Sequence, residues 1–163
     1  MITFVDLRQV GPEQSVAWVS DLAGRLRPSD LDEIAATHDL DPEVSLTTSV
    51  MLSDHAWVIL KGTRPIAVFG CAATGCEGSG LVWMMGTPEM DERRAAMTIA
   101  RATRPYLRQM HRTYPCLWNY IDARNDKSMN WLRWSGFRLL EAHPKHGREG
   151  RLFFTFARYD PHV

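Results

Sequence analysis

Three stretches of the chain carry residue types that could do chemistry. The first is Met85-Gly86-Thr87-Pro88-Glu89-Met90-Asp91-Glu92-Arg93-Arg94, which leads into a long helical stretch. A helix start offers free backbone N–H groups and the positive end of a dipole, so it attracts anions. Glycine lets the backbone approach such a ligand closely, and this run holds one, Gly86. Thr87 reads as the N-cap and Pro88 as the first helical residue, which removes two of the donor positions. Glu89, Asp91 and Glu92 crowd the first turn with carboxylates, while Arg93 and Arg94 offset part of their repulsion. The second stretch is Asn125-Asp126-Lys127-Ser128, opening a helix that ends at Gly136-Phe137. Asp126 is expected to cap it, Met129 and Leu132 to form its apolar stripe, and Gly136 to adopt a left-handed cap. The third is Tyr120, a phenol on the preceding strand and a weak candidate for proton transfer.

Other constellations carry less. His143 and His146 are three residues apart around Pro144, with no cysteine nearby, and no metal site is expected. Cys71 and Cys76 lack the second pair that a zinc site needs, and read as core or strand-end thiols. Arg94, Arg101, Arg104, Arg108 and His111 share one face of the long helix, with Pro105 predicting a kink or break. That face is either plainly solvated or a surface for an acidic partner, a nucleotide phosphate or nucleic acid. Among six tryptophans, Trp83, Trp118 and Trp131 are expected in the core. Trp134, beside Arg133, is expected at the surface, where Trp and Arg make interface hot spots.

The elements that must position these groups follow from apolar periodicity. Strands are expected over 2–7, 56–60, 64–73, 81–85, 116–123, 137–141 and 151–157. Helices are expected over 12–25, 29–36, 42–54, 87–111 and 128–134. Lys61-Gly62-Thr63 reads as a hairpin turn between the second and third strands. The helix between strands 81–85 and 116–123 makes a crossover unit, so these two strands should run parallel and splay at their C-terminal ends. Gly136→Val is expected to damage folding more than any change in the turn over 71–80.

Bulk properties bound the function. The 163 residues read as one domain over 1–163. Nineteen basic residues balance nineteen acidic ones, so there is no whole-molecule pull toward nucleic acid or an anionic membrane. Three cysteines do not suggest a secreted disulfide framework. No apolar run is long enough to span a bilayer, and Asp6 and Arg8 interrupt the place where a signal peptide would be apolar.

The step from Asn125 through Ser128 to Gly136-Phe137 resembles the C-terminal half of the GNAT N-acetyltransferases. With the element order above, the resemblance implies an α/β (α+β) fold, a mixed, mostly antiparallel sheet flanked by helices. Over roughly the second half, Leu81 to Thr87, the arginine-rich helix to Gln109-Met110, Leu117 to Asn125 and Trp131 to Phe137 are similar in order and spacing to the internal virion protein A family of short-tailed bacteriophages. That family is itself GNAT-like and associated with virion morphogenesis. If acetyl-CoA binds as in the enzymes, the resemblance assigns it to Met85, Gly86, Thr87, Arg93, Arg94, Asn125 and Ser128. Two departures stand out. The enzymes usually carry Gln/Arg-x-x-Gly-x-Gly/Ala at the helix start. They also commonly place a tyrosine four residues before the Gly of Gly-Phe, where this chain has Leu132.

Two functions follow. One is a phage protein with a degenerate acetyl-CoA site and no cofactor. It would bind phage or host proteins through Arg101, Arg104, Arg108, Arg133 and Trp134, in the host cytoplasm or the virion, with nucleic acid not expected. The other is an acyl-CoA-dependent N-acyltransferase with a divergent cofactor loop.

Overall fold

The computed structural model describes residues 1–160. Its order is β1 (Ile2–Asp6), a 3-10 turn (Leu7–Gln9), α1 (Pro12–Ala23), α2 (Pro28–Thr37), α3 (Pro42–Leu52), β2 (Ser53–Lys61), β3 (Arg64–Ala73) and β4 (Ser79–Gly86). A second 3-10 turn (Pro88–Asp91), α4 (Arg93–Thr113), β5 (Cys116–Asp122), α5 (Asp126–Trp134), β6 (Arg138–His146) and β7 (Arg151–Tyr159) follow. The strands form one sheet in the order β1-β2-β3-β4-β5-β7-β6. Every neighbour pair is antiparallel except β4 and β5, which the α4 crossover forces to run parallel.

Local chemistry accounts for most boundaries. Each of α1, α2 and α3 opens with proline at its first turn, where the missing N–H costs nothing. Asp41 caps α3 by accepting the Glu43 N–H at 2.9 Å and the Val44 N–H at 3.3 Å. Gly62 turns the β2–β3 hairpin at φ +67°. Along β2, alternate residues serve the two faces of the sheet. Trp57 and Ile59 join Phe69, Leu107 and Leu117 under α4 and α5, while Val58 and Leu60 join Leu22, Leu46 and Val68 under α1 and α3. Burying each such side chain stabilises the fold by roughly 1.5–3 kcal/mol.

Several expectations need correction. The long helix does not begin at Thr87-Pro88. The Thr87 N–H and hydroxyl both turn to the Ile66 carbonyl, at 2.8 and 3.3 Å, so Thr87 heads only a 3-10 turn and α4 starts at Arg93. Pro105 does not break α4. The next residue, Tyr106, stacks on Phe4 with ring centroids 4.9 Å apart and meets Trp57 and Phe69 edge-on, which pins this part of the helix to the sheet. Trp83, Trp118 and Trp131 are half-buried, and Trp57 is the fully buried tryptophan. His111 is buried rather than on the arginine face. At α5, Asn125 rather than Asp126 is the cap, its side chain accepting the Ser128 N–H at 3.2 Å.

Candidate functional site

β4 and β5 pair at three positions only, Ser79 with Cys116, Gly80 with Leu117 and Leu81 with Trp118. Beyond them the strands part, as the crossover reading anticipated. Asn119 bridges the start of the gap, its Nδ2 donating to the Val82 carbonyl at 2.8 Å. Past this bridge lies a cavity of about 700 Å³, bounded by Ile99, Thr103 and Leu107 of α4 and by Phe153 and Phe156 of β7. Asp30, Glu33 and Ile34 of α2 line it from the other face of the sheet.

The mouth of this cleft is held by the chain itself. Thr87 turns to Ile66, so alternation along β4 directs the backbone groups of Gly86 away from β3 and toward the gap. Both are taken. The Gly86 N–H donates to Asp30 Oδ2 at 2.8 Å, and the Gly86 carbonyl accepts the Arg27 N–H at 2.9 Å. Arg27 then spreads its guanidinium over three elements. Nε bonds Asp30 at 3.0 Å, Nη1 bonds Asp91 at 2.9 Å and Nη2 donates to the Ser128 hydroxyl at 3.2 Å. Arg27 and Asp30 are both buried. One cation, at the N-cap of α2, therefore ties the turn before α4 to the start of α5.

The candidate cofactor residues divide accordingly. Gly86 and Ser128 are engaged by Arg27 and Asp30, and Asn125 caps α5, while Thr87 faces β3. A Cβ on Gly86 would stand 2.7 Å from the Ile66 carbonyl oxygen and 2.9 Å from Ala67 Cβ, so this glycine permits packing against β3. Met85 lines the cavity. Arg93 and Arg94 are exposed on the first turn of α4, which has no side-chain cap. The three carboxylates before them are not bare charges. Glu89 pairs with Arg25 at 3.2 Å and Arg64 at 3.4 Å, Asp91 with Arg27 and with Lys127 at 3.5 Å, and Glu92 with Lys61 at 2.7 Å. Repulsion of an anion by these acids is thus weaker than their sequence positions imply.

Glu33 is the titratable group that sequence reasoning missed. It lines the cavity, and its Oε1 accepts the Asn125 Nδ2–H and the Asp122 N–H, each at 3.2 Å. Burial pushes its carboxyl up to about 7, against the pull of those two donors. The available signal was its spacing: Asp30, Glu33, Ile34 and Thr37 follow a three-one-three pattern on one face of α2, so acids sit where apolar side chains belong. Because the folded-state value lies above the unfolded one, the native state holds the extra proton between about pH 4.5 and 7. Stability from this group is complete below that window and falls as pH rises through it. Glu33→Gln should therefore gain stability over the parent at pH 8 and not at pH 4, read as urea midpoints. Parallel pH profiles for the two proteins would refute this.

The Tyr120 ring is half-buried and stacks on His146 at 4.2 Å between centroids, with His143 edge-on at 5.3 Å. Leu132 is buried in the core. Among the described residues no group of three or more His, Cys, Asp or Glu could hold a metal ion, and no helix is long and apolar enough to cross a membrane.

The candidate protein-binding residues lie away from the cleft mouth. Arg101, Arg104 and Arg108 are exposed along α4, and Arg133 and Trp134 are exposed at the end of α5. The Arg104 guanidinium carbon stands 5.1 Å above the Trp134 ring, so the structure brings these two together.

No model of a known family matches the sequence, and no curated protein matches it. Solved structures do. A GNAT-family acetyltransferase from Bacillus anthracis is similar with a TM-score of 0.68 at 12% identity, over 97% of this chain and 94% of that one. A probable GNAT-family acetyltransferase from Chromobacterium violaceum gives 0.66 at 17% identity, over 97% and 87%. A GNAT-family protein from Desulfovibrio desulfuricans gives 0.64 at 12%, over 98% and 99%. The chain has the GNAT fold, a seven-stranded, mostly antiparallel sheet flanked by helices.

Proposed function

We propose that this is a GNAT-fold protein whose acetyl-CoA site is closed by its own side chains, and that it acts by binding another protein. The observation that carries this reading is Arg27, buried between Asp30, Asp91 and Ser128 at the place where a GNAT cofactor would cross from β4 to α4. Two further features support it. The run over 91–96 has Arg94 where the enzymes' motif has its first glycine, and Leu132 stands where they commonly place the acid tyrosine. The setting, phage particle assembly or infection in the host cytoplasm, rests on the resemblance to internal virion protein A. The surface is the one that gathers Arg101, Arg104, Arg108, Arg133 and Trp134.

A specific observation favours a second reading, an acyl-CoA-dependent N-acyltransferase. Glu33 has a carboxyl near neutrality and lines an open cavity, which suits a general base for an amine. Calorimetry with acetyl-CoA separates the two. The closed-site reading expects no binding at micromolar concentrations. It also expects Glu89→Gln/Asp91→Asn/Glu92→Gln to raise affinity, because those changes release Arg25, Lys61, Arg64 and Lys127 to meet a pyrophosphate.

A further inference from the structure

The arginines of α4 are an unbalanced charge array. The helix carries six, Arg93, Arg94, Arg101, Arg104, Arg108 and Arg112, and no aspartate or glutamate in 21 residues. All six are exposed, and among the described residues none pairs with a carboxylate. The chain as a whole is neutral, and several arginines elsewhere, such as Arg25, Arg27 and Arg124, are ion-paired.

Arg158 of β7 adds to the array from beneath. An ideal Cβ at Gly136 would lie 3.2 Å from Arg158 Nε, which places this side chain against the end of α5. Burial lowers the guanidinium from its usual value, and Arg104 and Arg108 lower it further, while Asp160 acts the other way. Arg158 Nη1 and the hydroxyl of Ser135, the residue before Gly136, are two of five buried side-chain polar atoms without a hydrogen-bond partner among the described residues. Buried donors are normally satisfied. Arg158 thus lies within electrostatic reach of Arg104 and Arg108, and Arg104 stands over Trp134, which is 48% exposed.

We infer that the exposed face of α4, with Arg158 and Trp134, docks an acidic helix of a protein partner. The inference rests on the protein-binding reading above and supplies the partner's chemistry. Arg101, Arg104, Arg108 and Arg112 follow a three-four-four spacing, with steps of about 4.5, 6 and 6 Å along the axis. A partner helix has the same rise, so glutamates at three-four-four spacing fall opposite the arginines and accept paired hydrogen bonds. Trp134, with Arg104 over its ring, supplies the apolar contact that turns charge attraction into a fixed register. Nucleic acid fits less well, because the neutral whole molecule provides no long-range attraction for a polyanion.

The test uses the full chain, with arginine side-chain N–H resonances followed by NMR. Three probes are compared: an 18-residue alanine-based helical peptide with glutamates at three-four-four spacing, an isomer with the same glutamates at alternate positions, and an 18-nucleotide single-stranded DNA. The expected result is that the matched peptide shifts Arg104, Arg108 and Arg158 and binds at least tenfold more tightly than its isomer. Arg104→Gln/Arg108→Gln, both exposed positions, should remain folded and lose most of that binding. Equal binding of the two peptides, unmoved Arg104 and Arg158 resonances, or tighter binding of the DNA at the same residues would each overturn the inference. The acetyl-CoA measurement does not involve this face, so the closed-site reading stands or falls separately.

Discussion

Arg27→Ala should lower the stability of the fold by roughly 3–5 kcal/mol, because it leaves a buried carboxylate without its cation. Asp30 is 5% exposed and receives Arg27 Nε at 3.0 Å, and Asp91 loses its shorter partner as well. In a chain of this size that corresponds to a fall in the melting midpoint on the order of 10 °C. Removing the acid together with the base distinguishes an ionic cause from lost packing. Arg27→Met/Asp30→Asn keeps volume near the original and preserves an acceptor for the Gly86 N–H, so it should recover more than half of the loss. If the double variant is no more stable than Arg27→Ala, the network is not held by charge pairing.

Gly136→Val should be nearly as damaging. Gly136 has φ +89°, a region that β-branched residues essentially do not occupy, and its N–H closes α5 by donating to the Arg133 carbonyl at 3.1 Å. The backbone cost is roughly 1–3 kcal/mol, before adding the approach of the new side chain to Arg158. Thermal unfolding of this variant beside Gly136→Ala checks the assignment, and an unchanged midpoint for valine would refute it. The turn over 71–80 is less tolerant than its sequence suggested. A Cβ on Gly80 would stand 2.6 Å from the Tyr114 ring, and Gly75 and Gly78 have φ of +83° and +72°. Gly80→Val therefore belongs with Gly136→Val among the damaging changes.

The features that could be read in the chain were those whose causes are local. The Gly62 hairpin, the Gly136 cap and the pairing and splaying of β4 and β5 all depend on neighbours in sequence or on one crossover. The α5 cap was misplaced by one residue because Asn125 and Asp126 are both good caps and spacing does not choose between them. The Thr87-Pro88 pair carried a true helix-start signal, but the β3 carbonyl of Ile66 captured Thr87 and left only a 3-10 turn. What decides the site was out of reach. Arg27 meets Asp91 and Ser128 across 64 and 101 residues of sequence, and Glu33 meets Asn125 across 92. No periodicity or motif encodes such a meeting, so the paired state of the acids before α4 emerged only once the chain was folded.

We propose that Arg27 and its carboxylates stand in place of a cofactor phosphate. Titration calorimetry of the unmodified protein with acetyl-CoA tests it most directly. A closed site gives no measurable heat of binding up to concentrations of about 100 μM, since a ligand must displace a buried, ion-paired guanidinium to enter the gap beside Gly86. Sub-micromolar binding, or acetyl transfer to an amine, would contradict the closed site and make the acyltransferase reading the better one.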